Sequence, residues 1–396
     1  MREESKITII GFLTMFVIGS SDYIIIGVIS PMSEAFMVDK AVIGQLVTLY
    51  AISFAILSPL LTKMTIKFND KKTLVYSLIF FIIANFLTIL TTSFLLLCIL
   101  RVILAAFASL ITIKLMAIGA KLVNPVNKAK VVANIYVGFS AANILGVPLG
   151  TLLAAHFEWT SPFYFIGSIA LICLLMIVFL IKMPVTSNRI NLSEGKTYQV
   201  LNTKGVYGIL IFLLLMMISN SLLFTYLEPM ILLGGHSIKS VSTALLLAGV
   251  FGVVGSKLGN TLSEKFGYYT SGLVIVFVYI ASLLIILFFI KNIALVLIGI
   301  TLWNLFHWGT NPTVQFALLQ FIEGDPSQMF SYNISLLNLG IGLGSIIGGI
   351  LYTIDPHFSL SLIIAVVIAA ISVCSLAWCK QEDLKRIKKL GLNNSH

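Results

Sequence analysis

The stretch Ile7 to Ile29 reads ITIIGFLTMFVIGSSDYIIIGVI. At 1.5 Å per residue it matches one helical crossing of a bilayer whose hydrocarbon core is about 30 Å thick. One residue departs from the pattern. Asp22, in SSDY, would place a carboxylate in hydrocarbon at a cost of several kcal/mol. It requires a partner or a function.

The remainder of the chain follows the same pattern. Of 396 residues, 59% are hydrophobic and 10% charged, and the mean hydropathy is +1.05. This excludes a soluble globular protein. The apolar runs are about 20 residues long rather than the roughly 10-residue alternating segments of outer-membrane strands, so the spans are helices. Twelve are predicted, at 7–30, 43–63, 73–92, 94–118, 131–153, 162–182, 206–228, 240–260, 270–290, 292–318, 330–352 and 358–379. They are numbered span 1 to span 12. The first run lacks a small-residue cleavage site after a short core, so it is expected to stay as a span.

A net charge of +10 would suggest nucleic acid in a soluble domain, but here the bases lie between apolar runs. With the N-terminus inside, twenty Lys and Arg fall in inner segments and three, Lys40, Lys239 and Lys291, in outer ones. Arg101 and Lys114 lie within span 4. Both termini are therefore expected on the cytoplasmic side. Cys98, Cys173, Cys374 and Cys379 show no metal-ligand or redox spacing and read as packing residues.

The longest polar stretch, Met183 to Lys204, follows the sixth span. It divides the chain into a first bundle (1–183), a linker (184–205), a second bundle (206–380) and a cytoplasmic tail (381–396). A repeat supports the division. Registering Pro31-Met32 on Pro229-Met230 sets Asp22 opposite Asn220, and Asn143 of span 5 falls against Asn338 of span 11. Parallel halves of this kind belong to one large transporter class.

Several motifs point the same way. SSDYIIIGVISPMSEAF (20–36), Gly146-Val-Pro148-Leu-Gly150 in span 5 and FTYLEP (224–229) are similar to signatures of the major facilitator superfamily, and within it of bacterial twelve-helix drug:proton antiporters that include sugar-efflux and purine-efflux members. The resemblance covers nearly the whole chain. It implies an all-α membrane fold of two pseudo-symmetric six-helix bundles, with Asp22 and Tyr23 at the signature's acid and aromatic positions. The helix 5 antiporter motif (Gly146, Pro148, Gly150) is then a gasket between halves, against the plainer reading of generic helix packing. The family's cytoplasmic loop motif survives in the first half as TIKFNDKK, with Lys67, Asn69, Lys71 and Lys72 in place but Ile66 at the acid position, which implies a weakened charge lock. The second copy, SEKFG, keeps Glu264, Lys265 and Gly267. Arg101 matches the span 4 arginine, with Ala105 where the family has glycine.

Counted from the outer helix ends, Asp22 and Arg101 both lie roughly 10–12 Å deep. If spans 1 and 4 face the same cavity, as the family resemblance implies, they are expected to meet as a proton-loading pair, as a static packing pair or for substrate contact alone. Glu228, before Pro229, is expected to gate the outer vestibule, to join proton transfer or simply to reach water. Lys114 is expected to snorkel to the inner surface. Tyr23, Tyr50, Tyr136, Asn143, Asn220, Tyr226, Asn304, His307, Trp308 and Asn338 are candidates to line a substrate cavity suited to a mid-sized, partly apolar molecule. His307 reads either as a titrating group or as a satisfied core histidine.

The expectation is a multi-pass exporter of the bacterial cytoplasmic membrane, exchanging protons for a small drug-, sugar- or nucleobase-like molecule. An uncoupled facilitator or a lipid or glycolipid flippase is the alternative. No nucleotide-binding motif is visible: GIGLGSIIGG (340–349) lies within a span and has no Lys-Ser/Thr after it. The chain is thus expected to be no enzyme, to need no cofactor or metal, to bind no nucleic acid and to act as a monomer in the lipid bilayer.

Overall fold

The computed structural model describes residues 3–65, 67–123, 128–181, 199–323 and 327–389. Span 1 comprises α1 (Glu3–Tyr23), a 3-10 turn (Ile24–Gly27) and α2 (Ile29–Phe36). Spans 2, 3 and 4 are α3 (Lys40–Met64), α4 (Asp70–Leu90) and α5 (Phe94–Lys121). Span 5 comprises α6 (Lys128–Ala141), a π-turn (Ala142–Gly146) and α7 (Val147–His156), and span 6 is α8 (Ser161–Leu180). A short strand β1 (Gln199–Val200) leads into span 7, made of α9 (Thr203–Phe224) and α10 (Leu227–Leu233). Spans 8 and 9 form α11 (Ile238–Phe289), and span 10 is α12 (Ile293–His307) with α13 (Thr310–Phe321). After β2 (Ile322–Glu323) come α14 (Ser327–Ile354) and α15 (Ser359–Lys389).

Eleven helical segments among the described residues are long and apolar enough to cross a membrane. One of them, α11, has 52 residues and leaves helical geometry at Gly267 (φ 76°, ψ 163°). Its length of roughly 78 Å is far beyond one crossing, so it contains two spans and the total is twelve. Gly267 is the turn between them, and its positive φ explains why the loop motif ends on glycine.

Proline explains the broken spans. A proline nitrogen has no hydrogen for the carbonyl four residues back, and its ring crowds that carbonyl. Pro31, Pro229 and Pro312 are each the third residue of their helix, α2, α10 and α13, where the missing donor costs nothing. The residues four positions earlier, Gly27, Thr225 and Trp308, all lie in the breaks. Pro148 acts alike, and Ile144 lies in the π-turn. Only α3 absorbs its proline, Pro59, without interruption.

The chain forms two compact units, 1–190 with 225–249, and 191–224 with 250–396. In the first, span 1 packs on span 5 through small residues. A side chain at Gly138 would strike the Phe12 carbonyl, one at Gly146 would strike Ser20, and one at Gly150 would strike Ile24. In the second, span 11 packs on span 7 in the same way, with Gly340, Gly344 and Gly348 facing Met217, Ile218 and Leu222. The first unit also includes α10 and the start of α11, and the second includes β1, which pairs antiparallel with β2 through Gln199–Glu323 and Val200–Ile322. Most of the expected linker, 184–198, lies outside the described residues, but its end is ordered: α9 starts at 203 rather than 206. The expected tail begins as helix, since α15 continues to Lys389.

Large apolar side chains such as Leu95, Phe179 and Phe288 stand exposed on the helix surfaces. In a soluble protein they would drive aggregation, whereas here they face lipid.

Candidate functional site

Asp22 is the penultimate residue of α1, so the carbonyls beside it belong to the last turn and have no partner in their own helix. Arg101, fully buried in α5, fills that need. Its Nη1 donates to the Ser21 carbonyl at 2.9 Å and its Nη2 to the Asp22 carbonyl at 3.3 Å. A fixed cation at the negative end of a helix is favourable, and a fork of donors suits two adjacent carbonyls. The guanidinium also lies over the Tyr50 ring, 4.6 Å from its centroid.

The two residues meet as expected, but Arg101 binds the main chain rather than the Asp22 carboxylate. Among the described residues that carboxylate forms no hydrogen bond and no ion pair, and it is half-buried. Tyr23 is buried against the edge of Phe139, ring centroids 5.8 Å apart. The Tyr50 hydroxyl is buried and has no hydrogen-bond partner among the described residues. The side chains of Tyr136 and Asn143 lie outside what the structure describes.

Glu228 does not reach water: it is fully buried. Its Oε2 accepts from the main-chain N–H of Ser30 at 3.2 Å, at the start of α2. Val28, which caps α2, offers no side-chain acceptor, so Glu228 supplies one to the positive end of that helix. Tyr226 lies beside it and is also buried. Its hydroxyl donates to the Ala41 carbonyl at 3.0 Å and accepts from Gln45 Nε2 at 3.1 Å, while its ring covers Gly44. Gln45 was not among the expected site residues; a lone amide within span 2 is the signal that marks it.

In the second unit Asn220 is engaged rather than open. Its Oδ1 accepts from Trp303 Nε1 at 2.7 Å. Trp308 Nε1 donates to Asn304 Oδ1 at 3.3 Å, and Asn304 Nδ2 returns to the Ile300 carbonyl. Asn338 donates to the Ile334 carbonyl of its own helix. His307 is fully buried between Tyr279 and Trp308, and neither ring nitrogen has a partner among the described residues. Trp303 and Tyr279, which bonds Ser219 at 3.0 Å, are polar-tipped aromatics that the sequence reading did not single out.

The loop motifs serve as helix caps. Asn69 caps α4 by accepting from the Lys72 N–H, and Lys71 donates to the Val178 and Ile181 carbonyls at the end of α8. Lys67 and Lys72 are exposed. Ile66 lies outside the described residues. Lys114 does not snorkel; it is buried and pairs with Asp70 at 2.9 Å while donating to the Thr65 carbonyl at 3.2 Å. In the second copy Glu264 accepts from Asn260, and Lys265 lies over Phe266. Gly146 and Gly150 face span 1 of their own unit.

The sequence pattern of the Major Facilitator Superfamily matches residues 11–324. The uncharacterised MFS-type transporter YbcL of Bacillus subtilis (strain 168) is 28% identical over 352 residues, 88% of this chain and 89% of its own. Among solved structures, a bacterial homologue of the human lysosomal transporter Spinster in its inward-facing, occupied form superposes with a TM-score of 0.77 at 15% identity, covering 98% of each chain. A variant of the nucleoside transporter NupG gives 0.70 at 16% identity, over 95% of this chain and 99% of that one. At such identities the structural likeness concerns the fold alone.

Proposed function

The chain belongs to the major facilitator superfamily of membrane transporters, and from that premise we propose that it exports a small, partly apolar molecule across the bacterial cytoplasmic membrane in exchange for protons, by alternating access. One observation carries the coupling. Asp22 lies at the end of α1 with its carboxylate half-buried and unpaired among the described residues, while Arg101 is committed to the adjacent carbonyls. A carboxylate so placed can gain or lose a proton without dismantling the packing around it, whereas a static ion pair could not. Arg101 then keeps the helix end fixed while Asp22 changes charge.

The substrate class is inferred from the candidate positions: aromatic rings with a few amides suit a neutral or weakly charged drug-, sugar- or nucleobase-like molecule. Transport into proteoliposomes under an imposed pH gradient tests the reading, with a hexose, a nucleoside, a phenicol and a cationic dye as probes. At least one probe should accumulate against its gradient in the wild type and merely equilibrate with Asp22→Asn. Transport indifferent to both the gradient and the substitution would favour an uncoupled facilitator or a flippase.

A further inference from the structure

The repeat that registers Pro31 on Pro229 also makes Ser30 the counterpart of Glu228, and these two counterparts bond to each other. We propose that Glu228 is a protonation-sensitive latch: its carboxylate, as the cap of α2, holds the outer helix of span 1 against the outer end of span 7, and neutralising it releases that end. The latch deepens the transport reading, on which it rests for its place in the cycle. It does not depend on Asp22.

Four features support it. The α2 helix has only eight residues, is cut off from α1 by the 3-10 turn, and has no side-chain cap of its own. Its first amide groups therefore depend on an acceptor from elsewhere, and an ionised one bonds more strongly than a neutral one. Glu228 is fully buried, with Oε1 unpartnered among the described residues, so its charge is held mainly by this helix end. The charged groups facing it are Lys40, which attracts it, and Glu34, which opposes it. Finally, α10 is seven residues long and follows the break at Thr225 and Tyr226, so it can swing as a lever once Glu228 lets go, with the Tyr226 bonds to Ala41 and Gln45 among its ties.

The test is a spin-label distance between Ala35→Cys on α2 and Leu233→Cys on α10, both exposed, in protein reconstituted in nanodiscs. Cys98 and Cys374 are replaced by alanine; Cys173 and Cys379 are buried and can stay. The wild type should give one narrow distance at alkaline pH and acquire a longer, broader population on acidification. Glu228→Gln keeps an acceptor but not the charge. It should show the released population at every pH, about tenfold above the alkaline wild type. Asp22→Asn should behave as the wild type. A Glu228→Gln variant as narrow as the wild type at alkaline pH, or one that still responds to acid, overturns the latch. If acid response is lost with Asp22→Asn instead, the latch fails while proton coupling through Asp22 stands. If the latch responds as expected but no pH gradient drives transport, the latch holds and the coupling reading fails.

Discussion

Arg101 illustrates how main-chain acceptors help to make a buried charge tolerable. Its two bonds go to main-chain carbonyls that α1 cannot satisfy itself. Arg101→Ala would strand both, each at about 1–3 kcal/mol, so thermal unfolding of the purified protein should show a loss of about 2–6 kcal/mol. Arg101→Lys should lose less, because an ammonium keeps the charge but cannot fork across two carbonyls. Asp22→Asn should leave stability nearly unchanged, since its carboxylate supports no bond among the described residues. That Asp22 and Arg101 lie at one depth was legible from counting residues along two helices, and that the two helices face each other was implied by the family resemblance. The atom Arg101 binds was not, because the count gives depth and says nothing of which oxygens a helix end leaves free. For Glu228 the reverse holds: its place beside Pro229 was visible, but its burial depends on contacts nearly 200 positions away in sequence, with Ser30.

At the scale of the element, proline and glycine decide the geometry. Every break described in spans 1, 5, 7 and 10 lies four residues before a proline, a rule readable from sequence, although the π-turn that accommodates Pro148 is a detail that local chemistry leaves open. Glycine contacts vary in how far they can yield. A methyl at Gly138 meets the Phe12 main-chain carbonyl, which cannot rotate away, whereas one at Gly146 meets the Ser20 hydroxyl, which can. Gly138→Ala should therefore destabilise by about 1–3 kcal/mol, and Gly146→Ala by clearly less, measured as thermal stability in one detergent. On the inner side, Lys114 and Asp70 form a buried pair that ties α5 to the start of α4. A double-mutant cycle with Lys114→Met and Asp70→Asn should give a coupling of about 1–3 kcal/mol. The motif reading missed this lock because it looked for the acid at position 66, and the pair uses a base from span 4 instead.

At the scale of the whole molecule, each half of the sequence carries the same devices. The first span of each half is broken before a proline. A donor from the fourth span of each half, Arg101 or Trp303, reaches the first, and glycines from the fifth or its counterpart pack against it. The span count and the repeat were legible because hydropathy and proline register survive divergence. The pairing of β1 with β2 was not, since two-residue strands carry no periodic signal. The distribution of Lys and Arg predicts sidedness: a cysteine at Met37, 93% exposed, should react with an impermeant maleimide in intact cells, and one at Phe68, 64% exposed, only after permeabilisation.

The central claim is that Asp22 takes up and releases a proton in the working protein. Infrared difference spectra recorded between alkaline and acidic pH on reconstituted protein test it without knowledge of the substrate. The account predicts a protonated-carboxyl stretch that appears on acidification in the wild type, loses one component in Asp22→Asn and a separate one in Glu228→Gln. Spectra of the wild type and Asp22→Asn that superimpose in the carboxyl region would contradict it.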